Sequence, residues 1–301
     1  MNLLIAGASG FIGKSLFSKL NTEYKITALN YRNDDSHHSF HSLDLTNKSD
    51  IKFFFENSLK YDVLIFLVGL AHKKGKGKDL DEFMVINNQT LINLLSVLNS
   101  LNKLPEKIIF SSTISIYGEQ YSQNHYFEDS YKLPLSPYAI SKFKAEQYLL
   151  KYFKDTTWIL RFAPVYSQNF LLNIDRRTKI GCYSFRVGQG KYKLSLCNIE
   201  NIAVVIEGII KNKIPPEIYN LSDSKNYTYA ELLQWRKFRR YIPIPVFIIK
   251  LFYYLGKFIH NTFLIENSIK LISNNLYSSK KIRAFVDLPS TIYDIEFDYD
   301  K

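Results

Sequence analysis

The chain alternates short, unbroken apolar runs with longer stretches whose apolar residues return every three or four positions. Leu3–Ala6, Lys25–Leu29, Asp62–Gly69, Lys107–Phe110 and Trp158–Phe162 have the length and composition of strands. Ser42–Leu45 predicts a short third strand in the same series. Between them, Lys14–Leu20 carries Leu16, Phe17 and Leu20 at helical spacing, and Phe83–Asn99 and Ser136–Phe153 also read as helices. Unbroken apolar strands, as opposed to alternating ones, belong to a parallel sheet covered on both faces. Strand and helix in alternation give that architecture by right-handed crossovers. The expectation is an α/β fold, a doubly wound parallel sheet over residues 1–165, with a smaller substrate-binding region over 166–301. In the latter, Glu200–Lys211 predicts an amphipathic helix returning to the sheet, and Glu217–Leu221 a strand. Thr228-Tyr229-Ala230-Glu231 is a capping box that starts a further helix.

The first strand runs into Gly7-Ala8-Ser9-Gly10-Phe11-Ile12-Gly13 and then into a helix. Three glycines at this spacing allow a tight bend, the approach of a diphosphate to the backbone, and close packing of helix on strand. The free N–H groups and positive end of the helix then face the diphosphate. This context makes the fold Rossmann-type and the ligand a dinucleotide, NAD or NADP. Gly7, Ser9, Gly10, Phe11, Ile12 and Gly13 are its expected holders. At the end of the second strand an acidic residue usually receives the ribose hydroxyls. Asn30 stands there, Arg32 is placed to pair with a 2′-phosphate, and Asp34 and Asp35 offer carboxylates nearby, so NAD and NADP both stay open. Asp44 is placed either at the adenine edge or as a turn aspartate capping the next helix.

Composition narrows the setting. Hydrophobic residues make up 46% and charged residues 22%, as in an ordinary globular protein. Two cysteines, Cys182 and Cys197, form neither a disulfide framework nor a metal-ligand spacing, so no metal is expected. Met1 opens straight into a strand, which reads as the absence of a signal peptide and points to the cytoplasm. The net charge of +11 comes from dispersed lysines, which excludes a clustered nucleic-acid surface. The one dense patch, Lys73–Lys78, reads as a solvated loop or as a guide for an anionic substrate. Ile242–Ile265 is apolar and aromatic but begins with Pro243 and Pro245 and is broken by Lys250, Lys257 and His260. A spanning helix is excluded on that pattern. A buried or oligomer-packing helix, as in a homodimer, and a weak membrane-surface contact remain alternatives.

The candidate chemistry lies at Tyr138 and Lys142, one helical turn apart. An ammonium beneath a phenol lowers the phenol pKa from about 10 towards working pH, and a positively charged nicotinamide acts in the same direction. Thr113, on the same substrate oxygen, orients it and shares the proton path. Tyr253 with Lys257 and Tyr277 with Lys281 repeat the spacing, so context selects Tyr138. Only Tyr138 follows a strand ending in a Ser/Thr cluster, Ser111-Ser112-Thr113.

Gly7-x-x-Gly10-x-x-Gly13, Asp44-Leu45, Asn87, Ser111-Ser112-Thr113 with Tyr117-Gly118, Tyr138-x-x-x-Lys142, and Leu160-Arg161 through Val165-Tyr166 occur in this order. Together they resemble the extended short-chain dehydrogenase/reductases of the NAD-dependent epimerase/dehydratase family, which act on nucleotide sugars. The likeness spans residues 1 to about 235. It implies that Thr113, Tyr138 and Lys142 are catalytic and that Asp44, Leu45 and Asn87 belong to the cofactor site, Asn87 tying the catalytic helix to a strand end. Asn173 matches an asparagine that meets the nucleotide sugar, and Asn201 one in a later Asp-Asn pair. Ser167 replaces a usual glycine, Phe66 a common histidine, and Lys191, Lys193 or Lys280 is left to stand in for a diphosphate-binding arginine. Dehydratases of the family resemble one another in an Asp-Glu pair after the threonine; this chain has Ile114-Ser115. The 3,5-epimerising reductases carry a cysteine near Ser115. The reaction this leaves is hydride movement at one carbinol carbon. The resemblance thus implies a 4-epimerase of a UDP-hexose or UDP-N-acetylhexosamine, working through a 4-keto intermediate in surface-polysaccharide synthesis. An NADPH-dependent 4-keto-sugar reductase is the alternative, and a non-catalytic dinucleotide-binding module a second one.

Overall fold

A computed structural model of the chain describes residues 1–31, 40–70, 80–118, 123–238 and 240–295. Arg32, Asp34, Asp35 and the Lys73–Lys78 patch lie outside the described residues. Seven strands form the main sheet: β1 (Asn2–Ala6), β2 (Lys25–Asn30), β3 (Phe40–Ser42), β4 (Val63–Phe66), β5 (Lys107–Thr113), β6 (Thr157–Phe162) and β7 (Ile218–Leu221). Their order is β7-β6-β5-β4-β1-β2-β3. Pairing is parallel from β5 through β4, β1 and β2 to β3, with Ala6 opposite both Leu29 and Phe66, and Phe66 opposite Phe110. The strand order reverses between β1 and β4. In open α/β sheets that reversal opens a crevice at the carboxyl ends of the strands, where ligands bind.

Among the described residues there are ten α-helices in chain order: α1 (Phe11–Leu20), α2 (Lys48–Glu56), α3 (Leu80–Met84), α4 (Thr90–Ser100), α5 (Pro137–Tyr152), α6 (Leu172–Thr178), α7 (Ile199–Ile210), α8 (Tyr229–Trp235), α9 (Val246–Phe258) and α10 (Thr262–Ile272). A π-helical turn, Val85–Gln89, joins α3 to α4. β1 and β4 are buried from Leu3 to Ala6 and from Val63 to Phe66, and Leu91, Leu94, Leu95 and Leu98 of α4 share one core cluster with them. Phe66 stacks on Phe110 at 6.2 Å within it, a packing role.

Two departures from the sequence reading have plain causes. The third strand is Phe40–Ser42, not Ser42–Leu45. Leu43 and Leu45 are buried and alternate like a strand, but the chain there is turned by Asp44, whose Oδ1 accepts from the Thr46 amide at 2.8 Å and hydroxyl at 2.7 Å. The cap of α2 is Asn47, accepting from Ser49 N, so Asp44 holds the turn and not the helix. The expected single helix Phe83–Asn99 is interrupted by the π turn, which shifts the side-chain phase by one residue.

The chain clusters into two compact units that interleave in sequence: residues 1–116, 137–161 and 209–218 form one, and 117–136, 162–208 and 219–301 the other. The division near residue 165 is thus crossed by later returns of the chain. The helix anticipated over Glu200–Lys211 is α7; its last carbonyls, Ile209 and Ile210, accept from Lys107 Nζ at 2.8 Å each within the first unit. In the second unit, the capping box is present on both sides, Thr228 Oγ1 accepting from Glu231 N and Glu231 Oε2 from Thr228 N. Small two- and three-stranded sheets replace a large one here, Tyr183–Val187 lying between Lys179–Ile180 and Ile242–Ile244.

Candidate active site

At the carboxyl end of β1 the three glycines differ in what they do. Gly7 has φ +88°, and a Cβ on it would lie 2.9 Å from Leu67 C and Val68 N. A Cβ on Gly13 would lie 2.4 Å from Gly7 O, so helix and turn touch through backbone alone. Gly10 is exposed and has only Gly7 O, at 3.3 Å, near its missing side chain. The protein itself does not demand a glycine there as strictly; an approaching ligand does. Gly10 caps α1 without a side-chain bond, and the first turn carries no acidic residue, so the positive end of the helix is left open to an anion.

Asn30, at the end of β2, is buried, and its Oδ1 accepts from Ser9 N at 2.7 Å. That bond fixes which way the amide points. Its Nδ2 is buried without a partner among the described residues. An orphaned buried donor costs about 1–3 kcal/mol, which a ligand oxygen would offset. An open helix end, an exposed Gly10 and an unanswered amide fit a dinucleotide with its diphosphate at α1 and its adenosine side towards Asn30.

Next to this turn, the exit of β4 is shared. Gly7 packs against Leu67 and Val68 on one side. Lys142 Nζ, from α5, donates to Val68 O at 3.0 Å and Ser111 O at 2.9 Å, and lies 4.8 Å above the Phe110 ring. Gly69 makes room, since a Cβ there would stand 3.2 Å from that nitrogen. Lys142 is 2% exposed. Burial pulls its pKa down to about 7 while the Glu146 carboxylate pulls the other way. Asn87, on the π turn, receives Leu70 N at 2.6 Å on Oδ1 and donates from Nδ2 to Ser141 Oγ at 2.9 Å. Ser141 in turn donates to Tyr138 O at 2.9 Å. The π turn therefore places one amide between the end of β4 and the first turn of α5, a use typical of such turns at working sites.

Thr113 ends β5, and its hydroxyl acts on the Tyr138 phenol, holding the phenol's pKa down, while donating to Ser115 Oγ at 3.3 Å. It also accepts from Ser115 N at 3.2 Å. Burial of the phenol's surroundings pushes the Tyr138 pKa up to about 12, with the Thr113 hydroxyl opposing. The expected lowering by Lys142 is not what the protein chain alone produces. The lysine's nitrogen is turned to two backbone carbonyls, and desolvation outweighs it.

Below Lys142 on α5, Glu146 accepts from the Ser112 hydroxyl and from Arg161 Nε at 3.0 Å and Nη2 at 2.7 Å. Both partners of this ion pair are buried, at 0% and 1% side-chain exposure. Glu146, Ser141 and Gly69 escaped the sequence reading. Glu146 repeats the four-residue step from Tyr138 and Lys142, which was the one signal available for it.

In the second unit, Asn173 donates to Val165 O at 2.8 Å, and Lys193 is exposed on the short strand Lys193–Ser195. Asn201 is buried, bonded to Asp223 Oδ1 at 2.9 Å and to Ser290 O at 2.8 Å. Asp223 also accepts from Tyr166 and Tyr227 hydroxyls at 2.6 and 2.8 Å and from Asn198 N at 2.7 Å. Burial raises its pKa to about 6 against these donors. Among the described residues no group of His, Cys, Asp and Glu could hold a metal.

A glycine turn at a topological switch, beside a Thr–Tyr–Lys cluster on the same sheet edge, defines a dinucleotide-dependent enzyme of the short-chain dehydrogenase type. Residues 3–222 match the model of the NAD dependent epimerase/dehydratase family, and the chain belongs to that family. It is 24% identical over 246 residues to the N-acetyl-α-D-glucosaminyl-diphospho-ditrans,octacis-undecaprenol 4-epimerase of Escherichia coli O157:H7, covering 77% of this chain and 70% of that one. Its fold is similar to the UDP-glucuronic acid 4-epimerase of Bacillus cereus (TM-score 0.72, 17% identity, 98% and 93% covered). It is also similar to the dTDP-glucose 4,6-dehydratase of Bacillus anthracis (TM-score 0.69, 15% identity, 97% and 92% covered). The fold therefore accommodates either reaction class, and the site residues carry the choice.

Proposed function

We propose that the protein is a nucleotide-sugar 4-epimerase acting on a UDP-hexose or UDP-N-acetylhexosamine through a 4-keto intermediate, in surface-polysaccharide synthesis. The observation that carries this reading is buried Lys142, one helical turn from Tyr138 and bonded to Ser111 O two residues before Thr113, with Ile114 and Ser115 following and supplying no carboxylate. Such a set serves the proton of one carbinol and has no extra acid and base with which to eliminate water.

A bound nicotinamide would supply the hydride chemistry, acceptance from the sugar carbon and return to it. Gly7, Ser9, Gly10, Phe11, Ile12, Gly13 and Asn30 hold the dinucleotide, with Asp44, Leu45 and Asn87 at its margins. Tyr138 takes the proton of the C4 hydroxyl as the ketone forms and gives it back on the way to the epimer. Thr113 holds that oxygen. Lys142 is held by the carbonyls of Val68 and Ser111, one helical turn from Tyr138. The phenol alone sits too high to be a base near neutral pH. Positive charge on a bound oxidised cofactor would act to lower the phenol pKa. Asn173 and Lys193 are assigned to the substrate. Two of the similar proteins act at C4 by name, one of them on an N-acetylglucosaminyl diphosphate, which supports a hexosamine diphosphate substrate.

A second reading, an NADPH-dependent reductase of a 4-keto sugar nucleotide, is favoured by Asn30, a neutral amide where ribose hydroxyls usually meet a carboxylate. Denaturing the purified protein and identifying the released nucleotide separates the two. Retained NAD, with UDP-N-acetylglucosamine converted to its C4 isomer, supports the epimerase. An empty protein that takes up NADPH and consumes it with a 4-keto sugar, giving no isomer, supports the reductase.

A further inference from the structure

The α9–α10 hairpin of the second unit carries its polarity the wrong way round for a helix facing water. α9 buries Ile249, Tyr253 and Gly256, a single stripe at helical spacing. On a surface helix the opposite face is normally polar. At about 100° per residue, that face of α9 is made by Phe247, Leu251, Tyr254, Leu255 and Phe258. All five are exposed, Phe247 at 70% and Phe258 at 83%. Phe263, in the first turn of α10, is exposed at 72%. Lys250 and Lys257 lie on one flank, about a quarter turn from both stripes. Scattered exposed apolar residues are ordinary; a row along one helix marks an interaction surface.

Charge selects the partner. No acidic residue occurs between Glu231 and Glu266, whereas Arg236, Lys237, Arg239, Arg240, Lys250 and Lys257 all fall in that interval. Lys237, Arg240, Lys250 and Lys257 are exposed. A second copy of the chain would set Lys250 and Lys257 of this face against their own copies in a two-fold contact. No helix among the described residues is long and apolar enough to cross a membrane. Aromatic rings on the outermost line, with exposed lysines at the flank, Lys257 Nζ resting over the Tyr253 ring at 4.8 Å, match a helix lying in the headgroup region.

We propose that the outer face of α9, extended by Phe263, docks on the surface of an anionic phospholipid bilayer. Phe247, Leu251 and Phe258 enter the acyl boundary, and Lys250 and Lys257 meet lipid phosphates. This stands apart from the choice of sugar substrate and does not rest on it.

The test is flotation of the full chain with vesicles of phosphatidylglycerol and phosphatidylcholine, against vesicles of phosphatidylcholine alone. Binding to the anionic vesicles is expected at about 0.1 M salt and loss of most of it at about 1 M, where the screening length falls to about 3 Å. Phe247→Ser with Phe258→Ser is expected to weaken binding about tenfold for each ring removed. Lys250→Gln with Lys257→Gln is expected to cost roughly fivefold per charge and to abolish the preference for the anionic lipid. These side chains are exposed, so circular dichroism of the variants should match the parent. Failure to float with anionic vesicles at about 0.1 M salt overturns the proposal, as does equal flotation of the double phenylalanine variant. A parent dimer in sedimentation that Phe247→Ser with Phe258→Ser dissociates, without vesicle binding, gives the face to a second copy instead.

Discussion

Replacing Arg161 with Met removes one half of a fully buried ion pair and leaves the other half in place. The guanidinium makes two bonds to the Glu146 carboxylate, 3.0 and 2.7 Å, in a setting with no water access. After the change, the carboxylate keeps only the Ser112 hydroxyl among its bonded partners here. Stranding a buried charge in this way costs about 3–5 kcal/mol, far above the 0–1 kcal/mol typical of a surface pair. At a urea slope of about 3 kcal/mol/M the unfolding midpoint falls by about 1–2 M. Trp158, three residues before Arg161 on β6, gives a local fluorescence signal to set beside circular dichroism. Glu146→Leu combined with Arg161→Met removes both charges at similar volume, and the account expects most of the loss to be recovered. A loss below about 1 kcal/mol in the single variant, or a double variant no more stable than the two single losses summed, refutes the reasoning. The pair fastens α5, and with it Tyr138 and Lys142, to β5 and β6, so the single variant should also lower kcat more than it raises KM.

Tyr138→Phe should lower kcat by about 10²–10⁴ while leaving nucleotide affinity unchanged, measured by turnover and by titration of cofactor fluorescence. Lys142→Met should flatten the pH dependence of stability. With the folded pKa pulled to about 7 from the ordinary 10.5, the folded chain binds fewer protons between those values, so parent stability rises with pH across that window. Thermal melts at several pH values across it should show a rising midpoint for the parent and a level one for the variant. Gly13→Ala should abolish dinucleotide binding and lower the melting temperature, because its Cβ would fall 2.4 Å from Gly7 O; a variant that binds and melts like the parent excludes the close packing described here.

Much of the sheet was legible because β1, β4 and β5 are buried on both faces and so appear as unbroken apolar runs. The glycine turn was legible because Gly7 and Gly13 answer to backbone sterics. β3 was misplaced by one turn. Leu43 still donates its N–H to Asn30 O of β2 at 2.8 Å, but Leu45, two residues on, is buried beyond the strand, where Asn93 of α4 donates to its carbonyl. The π turn had no signal of its own, since its extra residue is stabilised by what Asn87 reaches in the folded chain. Thr113, Tyr138 and Lys142 were singled out from order and spacing, but their electrostatics were not legible there. Lys142 spends its hydrogen bonds on carbonyl oxygens, which leave no trace in a sequence. The apolar composition of Ile242–Ile265 was plain, but which of its residues face outward depends on the single stripe α9 buries.

The central claim is that Tyr138 and the nicotinamide work on one carbinol carbon and return to it what was removed. UDP-N-acetylglucosamine carrying deuterium at C4, incubated with the protein and its own retained cofactor, tests this most directly. The expected product is the C4 isomer with deuterium still at C4 and no solvent hydrogen elsewhere on the ring. An isomer that has lost the label to solvent, or that has gained solvent hydrogen at a neighbouring carbon, contradicts it.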